Sequence, residues 1–174
     1  MAETKKANPV KLLIGIMYAN EKILATAIET LKKQFGEFQQ GPTINFTFTD
    51  YYETETGKNL KKTYIAFNQS IQREQLPAIK LLTNKTEQEY SLIDKRQINI
   101  DPGYITETNV ILASAKEHPH RIYISDGIYG QIILVYSRNK WNLLEKTFAD
   151  YQTEEVRNFL AIQRLSLINT SKSL

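Results

Sequence analysis

Four segments of this 174-residue chain carry enough polar side chains to do chemistry. The first is Thr49-Asp50-Tyr51-Tyr52-Glu53-Thr54-Glu55, followed by Lys58, Lys61 and Lys62. Hard cations prefer carboxylate oxygens, so Asp50, Glu53 and Glu55 are candidate metal ligands, and Tyr51 and Tyr52 could stack on a ring. The competing reading is a solvated loop whose acids face the lysines that follow. The second segment is Asn99-Ile100-Asp101-Pro102-Gly103-Tyr104. Asp-Pro-Gly signals a turn, because aspartate caps it, proline presets φ and glycine accepts positive φ. Asn99 and Asp101 share the strand face opposite Ile98 and Ile100, where a carboxylate could orient a ligand hydroxyl or a metal-bound water. The third, Lys116-Glu117-His118-Pro119-His120-Arg121, holds both histidines. His120 could act as an acid or base near neutral pH, or join Arg121 in an anion site. A histidine so placed is as readily a surface or hydrogen-bonded residue, and no third ligand completes a metal site. The fourth is Tyr123, Tyr129 and Tyr136, for which sheet packing is the favoured reading. Arg121 and Tyr123 share one strand face and could flank a ligand.

Several activities are excluded. The chain has no cysteine, which removes disulfides, thiolate metal sites and cysteine nucleophiles. It has no G-x-x-x-x-G-K-[ST], G-x-G-x-x-G, G-x-S-x-G or H-E-x-x-H, and its seven glycines are scattered. No cofactor is expected. Twenty-two basic against 19 acidic residues leave +3, too small an excess for a nucleic-acid footprint. Met1 to Asn8 is polar and unlike a secretory leader, and no apolar run approaches a membrane span, so the expected compartment is the cytoplasm.

The elements that must position these residues follow from periodicity. Val10 to Tyr18 is apolar except at Lys11 and reads as a strand buried on both faces. Asn20 caps a helix with Ile23, Leu24, Ala27, Ile28, Leu31 and Phe35 on one stripe, ended by Gly36. Thr43 to Thr49 alternates as a half-exposed strand, and Thr63 to Phe67 reads as another. A second helix places Pro77 in its first turn and Ile79, Leu82, Thr86, Tyr90 and Ile93 on one stripe. Gln97 to Asp101 forms a fourth strand. The β-α-β-β-α-β order predicts an α+β fold with a ferredoxin-like core. Beyond it come a short helix over 109–116, a hairpin turning at Asp126-Gly127, a short strand over 141–144 and a final helix capped by Thr153. The expected organisation is a disordered tail over 1–8, one domain over 9–169 and a frayed end over 170–174. The core spans about 9–104 and the extension about 105–169.

In such a core the second and fourth strands end at opposite edges of the sheet. The Asp50 to Glu55 loop and the Asp101 turn should then not meet. A combined site would lie on the open polar face, lined by Asn45, Thr47, Asn99 and Arg121. Five motifs carry a resemblance across about Pro9 to Tyr151. They are Phe46-Thr47-Phe48-Thr49-Asp50-Tyr51-Tyr52-Glu53, Ile79-Lys80-Leu81 with Thr83-Asn84, Asn99 to Tyr104, His120-Arg121-Ile122, and Asp126-Gly127-Ile128-Tyr129. In these the chain resembles the bacterial family called domain of unknown function 4416. Gln131 departs from the glutamate usual in that family. The resemblance implies a bacterial origin and no defined mechanism. Some members carry a GTP-binding label, but this chain has no Walker-type loop or guanine-reading motif. Lys80 and Asn84 join the candidate residues on this ground, with Asn99, Asp101, His120 and Arg121 leading.

Two functional classes fit. One is a binding domain, or a modest enzyme, for a small anionic or nucleotide-like ligand: Arg121 and His120 pair with the anion, Asn99 and Asp101 with hydroxyls, and Tyr51 or Tyr52 stacks. The other is a non-catalytic interaction module that pairs with itself or a partner through a sheet edge or the final helix. RNA binding stands third, because Thr63 to Phe67 lacks the glycine and basic pattern of RNA-reading sheets. No membrane partner is expected.

Overall fold

The computed structural model describes residues 1, 3–48, 59–93 and 95–172, with side chains through residue 170. It shows a mixed α/β architecture: an eight-stranded antiparallel sheet and three α-helices, the last at the C-terminal end. The elements are β1 (Val10–Tyr18), α1 (Glu21–Phe35), β2 (Phe38–Asn45), β3 (Lys61–Ile71), α2 (Leu76–Glu89), β4 (Ile98–Ile105), β5 (Asn109–Ser114), β6 (Ile122–Ser125), β7 (Ile128–Ser137), β8 (Lys140–Leu143) and α3 (Glu154–Lys172). The sheet runs β2-β3-β1-β4-β5-β7-β6, with β8 also on β7.

β1 is buried along its whole length because both faces are covered. Leu12, Ile14 and Ile16 meet Leu24, Ala27 and Leu31 of α1 and Ile79 of α2. On the other face Leu13, with Tyr64 and Ala66 of β3, meets Val156, Phe159 and Leu160 of α3. The polar face expected to be open is therefore roofed by the final helix. Such burial supplies most of the folding free energy at about 25 cal/mol per Å² of apolar surface. α1 begins and ends as its sequence dictates. Asn20 accepts from the Lys22 N–H at 2.9 Å, and Gly36 takes φ 85°. The Asp126-Gly127 hairpin forms with φ 52° and 74°.

Four expectations are corrected. β2 starts at Phe38 and stops at Asn45, leaving Phe46 and Phe48 beyond it. Gly41-Pro42 would break a central strand, but β2 is an edge strand whose register shifts between Gln40 and Thr43, where both residues are tolerated. Residues 109–114 are strand, not helix: Val110 and Leu112 alternate into the core while β5 pairs with β4 and β7. α2 ends at Glu89, and Ile93 lies outside it, exposed and at φ 51°.

The fourth correction governs the site. Asp101-Pro102-Gly103 is not a turn, because β4 runs straight through it paired with β1. Gly103 is needed for close approach: a Cβ there would run into the backbone carbonyl of Ile111 on β5. At Gly130 an added Cβ would mainly meet the movable end of the Ile124 side chain. Gly103→Ala should therefore cost about 2 kcal/mol or more, and Gly130→Ala clearly less, in urea denaturation.

Candidate functional site

Antiparallel residues alternate in the direction of their backbone polar groups, so Ile100 and Pro102 present theirs to the same side of β4. At Ile100 that side faces α2, not a strand. Lys80 Nζ donates to the Ile100 carbonyl at 2.9 Å, and the Ile100 N–H donates to Glu87 Oε1 at 2.6 Å. Pro102 has no N–H to offer, and pairing with β5 begins only at Gly103. β4 and β5 therefore part at Pro102. The fork encloses a cavity of about 330 Å³. Asn99 and Asp101 of β4, Ser114 of β5, Lys80, Asn84 and Glu87 of α2, and Arg121 and Gln131 from the hairpin side line it.

Charges in its walls are mostly cancelled. Asp101 lies between two buried lysines, 3.6 Å from Lys80 Nζ and 3.8 Å from Lys62 Nζ, and accepts from Asn99 Nδ2 at 2.8 Å. Lys62 pairs with buried Asp150 at 2.8 Å, and Asp150 also accepts from the Tyr64 hydroxyl at 2.6 Å. Burial, then the neighbouring Asp150, pushes the Tyr64 phenol far up, so Tyr64 is a donor at any ordinary pH. Glu87 Oε2 accepts from Arg96, which also donates to Asn99. Arg121 differs. Its Nε donates to Gln131 Oε1 at 3.0 Å and its Nη1 to Ser114 Oγ and the Lys116 carbonyl at 2.7 and 2.8 Å. These are neutral acceptors, and among the described residues no carboxylate pairs with its guanidinium. Gln131 in turn donates to the Lys146 carbonyl at 3.1 Å, fixing its amide with the oxygen toward Arg121.

Two further cavities adjoin the fork. One of about 220 Å³ shares Asn99, Asp101 and Phe148 with it and is walled by Met17, Phe46, Phe48, Lys62 and Asp150. A groove of about 410 Å³ shares Arg121, Gln131 and Phe148 and contains His118 and His120. Of the leading candidates, Asn99, Asp101 and Arg121 thus line one cavity together with Lys80 and Asn84, while His120 borders the adjoining groove. The His118 and His120 rings stand 5.2 Å apart. Asn45 and Thr47 are exposed and contribute to none of these cavities, but Phe46 and Phe48, just after β2, reach the Asp101 side of the sheet. Asp50, Tyr51, Tyr52, Glu53 and Glu55 fall outside the described residues. Among the described residues no group of three His, Asp or Glu side chains could hold a metal, and no helix is long and apolar enough to cross a membrane.

Residues 8–166 match the family model described as Domain of unknown function (DUF4416). The chain belongs to that family. Neither a curated protein nor a solved structure is significantly similar to it. For this member of the family, function must be argued from the fork itself.

Sequence reasoning missed Glu87, Arg96, Phe148 and Asp150, and read Lys62 only as a lysine facing the acids of a solvated loop. A signal existed for Glu87, since Lys80, Asn84 and Glu87 recur at helical spacing as a polar stripe. Lys62 also announced itself weakly, as the first residue of the buried run of β3 and two before Tyr64 on the same face. Nothing local marks Asp150 or Phe148.

Burial raises the Glu87 carboxyl above its ordinary 4.5, against the lowering effects of Lys80, the Ile100 N–H and Arg96. In the window between the two values the folded chain keeps a proton that the unfolded chain has released. Stability therefore falls as pH rises through it, and the loss is complete above the folded value. In urea denaturation from pH 4.5 upward, the stability of the native protein relative to Glu87→Gln should decline steadily. A constant difference would show that Glu87 does not titrate there.

Proposed function

We propose that the chain binds a small anionic or nucleotide-like ligand where β4 and β5 part, as a binding domain or as a modest enzyme acting on that ligand. One observation carries this reading: Arg121 is held in the fork by neutral partners, and no described carboxylate offsets its charge. An arginine so positioned favours an anion strongly, because charge-assisted hydrogen bonds gain strength out of bulk water. Asn84 and Asn99 offer amides for hydroxyl groups. The β2-β3-β1-β4 order, all antiparallel with α1 and α2 on one face, supports a ferredoxin-like description of the first six elements. A bacterial setting is part of the same proposal and rests on the family resemblance, and the cytoplasm is carried over from the sequence expectation.

Inorganic phosphate, titrated by calorimetry, provides the first probe, followed by a thermal-shift panel of nucleotides and phosphorylated metabolites. Arg121→Ala should weaken phosphate binding about tenfold or more. Gln131→Glu should do the same, because it places a carboxylate against the guanidinium. No binding by the native protein to phosphate or to any member of the panel would remove the reading.

The second reading, assembly through a sheet edge, draws on β6. This edge strand exposes Ile122, Tyr123 and Ile124 at 73%, 58% and 41%. Unprotected apolar edges invite strand pairing. Light scattering across a concentration series should then show a dimer that Tyr123→Lys returns to monomer. A native monomer at every concentration would dismiss this second reading.

A further inference from the structure

The fork does not stand alone. Its Asn99–Asp101 wall and Phe148 rim also line the smaller cavity, whose other walls include Met17, Phe46, Phe48 and Lys62. Three of the residues around that space are phenylalanines. Phe46 and Phe48 contact each other edge to face with centroids 5.5 Å apart. Phe148 has no ring partner among the described residues and is 39% exposed, while Phe48 is 43% exposed. Backbone structure holds Phe148 in place, since its carbonyl accepts from the Tyr151 N–H at 3.0 Å as the 3-10 turn Ala149–Gln152 begins. On the cavity wall Lys62 Nζ lies 5.7 Å from the Phe46 centroid, with its charge already paired to Asp150. The exposed rings of Phe48 and Phe148 gain free energy when a flat surface covers them, and ring edges and a nearby ammonium favour an aromatic cover over an aliphatic one.

We infer that the ligand has two parts, an anionic group held at Arg121 in the fork and a planar aromatic body seated in the adjoining cavity against Phe46, Phe48 and Phe148. This rests on the anion-binding reading of the fork and adds the chemical class of the rest of the molecule. Asp101 and Asn99 line both subsites. Asp101 is already satisfied by Lys62, Lys80 and Asn99, so it presents no unpaired charge to the ring. Phe148 becomes a specificity-determining residue that borders both subsites.

The test compares inorganic phosphate, butyl phosphate and phenyl phosphate by calorimetry on the full chain. Phenyl phosphate should bind about tenfold or more tightly than inorganic phosphate and clearly more tightly than butyl phosphate. Phe148→Ala should weaken phenyl phosphate several-fold more than inorganic phosphate, and Phe148→Leu, which keeps the apolar packing, should lose most of the aryl gain. Arg121→Ala should weaken all three probes. If phosphate binds but the phenyl ester binds no better than phosphate or its butyl ester, the aromatic subsite is wrong and the anion site stands. If the Phe148 variants lower phosphate and phenyl phosphate equally, Phe148 is structural and the inference is overturned. If no probe binds, the anion-binding reading fails and takes this inference with it.

Discussion

A proline inside a sheet has no N–H for a neighbour, so a strand that contains one must turn that position toward an edge. β4 meets this requirement by pairing with β1 throughout while leaving its other side without a strand until Gly103. The polar groups of Ile100 would then be orphaned, and Lys80 and Glu87 reach round from α2 to satisfy them. One missing hydrogen therefore opens the cleft, draws two ionisable side chains into its wall and sets where Asp101 can stand. Gly103 completes the arrangement, because its bare Cα lets β5 close immediately past the gap.

Behind that cleft lies a run of charge, buried except at half-buried Asp101: Lys80, Asp101, Lys62 and Asp150, ended by the Tyr64 hydroxyl. Burying such groups costs several kcal/mol per ion before pairing offsets it, so their value to stability is small. Their value to geometry is larger, since each is held by at least two partners. Gly15 makes this possible on β1, where a Cβ would press on the Lys62 side chain at 3.0 Å. With Lys62, Lys80 and Arg96 matched by acids, Arg121 adds to the fork a charge that no described carboxylate offsets. A glutamate at position 131 would have cancelled that charge, whereas glutamine supports the guanidinium without neutralising it.

Much of the scaffold was legible wherever a local rule was enough. β1 was readable from its unbroken apolar run, α1 from its cap, stripe and terminal glycine, and the hairpin from Asp126-Gly127. Reading failed where the partner strand decides. Gly41-Pro42 argues against a strand until β2 is known to be an edge, and residues 109–114 become strand because β4 and β7 flank them. Asp-Pro-Gly failed in the same way. Its turn propensity is real in isolation, yet eight paired positions with β1 outweigh it.

The candidate site divides along the same line. Asn99, Asp101 and Arg121 stood out in the sequence, because polar side chains at alternating or turn-adjacent positions are visible one residue at a time. Sequence alone determined the residue types, the helix and hairpin boundaries set by caps and turns, and the two-sided burial of β1. Only the tertiary structure decided that Lys80, Asn84 and Arg121 would face Asn99 and Asp101 across one cavity, and that Lys62, Asp150 and Phe148 would line the cavity adjoining it. Those contacts join positions up to tens of residues apart. No local preference encodes such separations, because they are fixed by which strands pair and where the pairing has to stop.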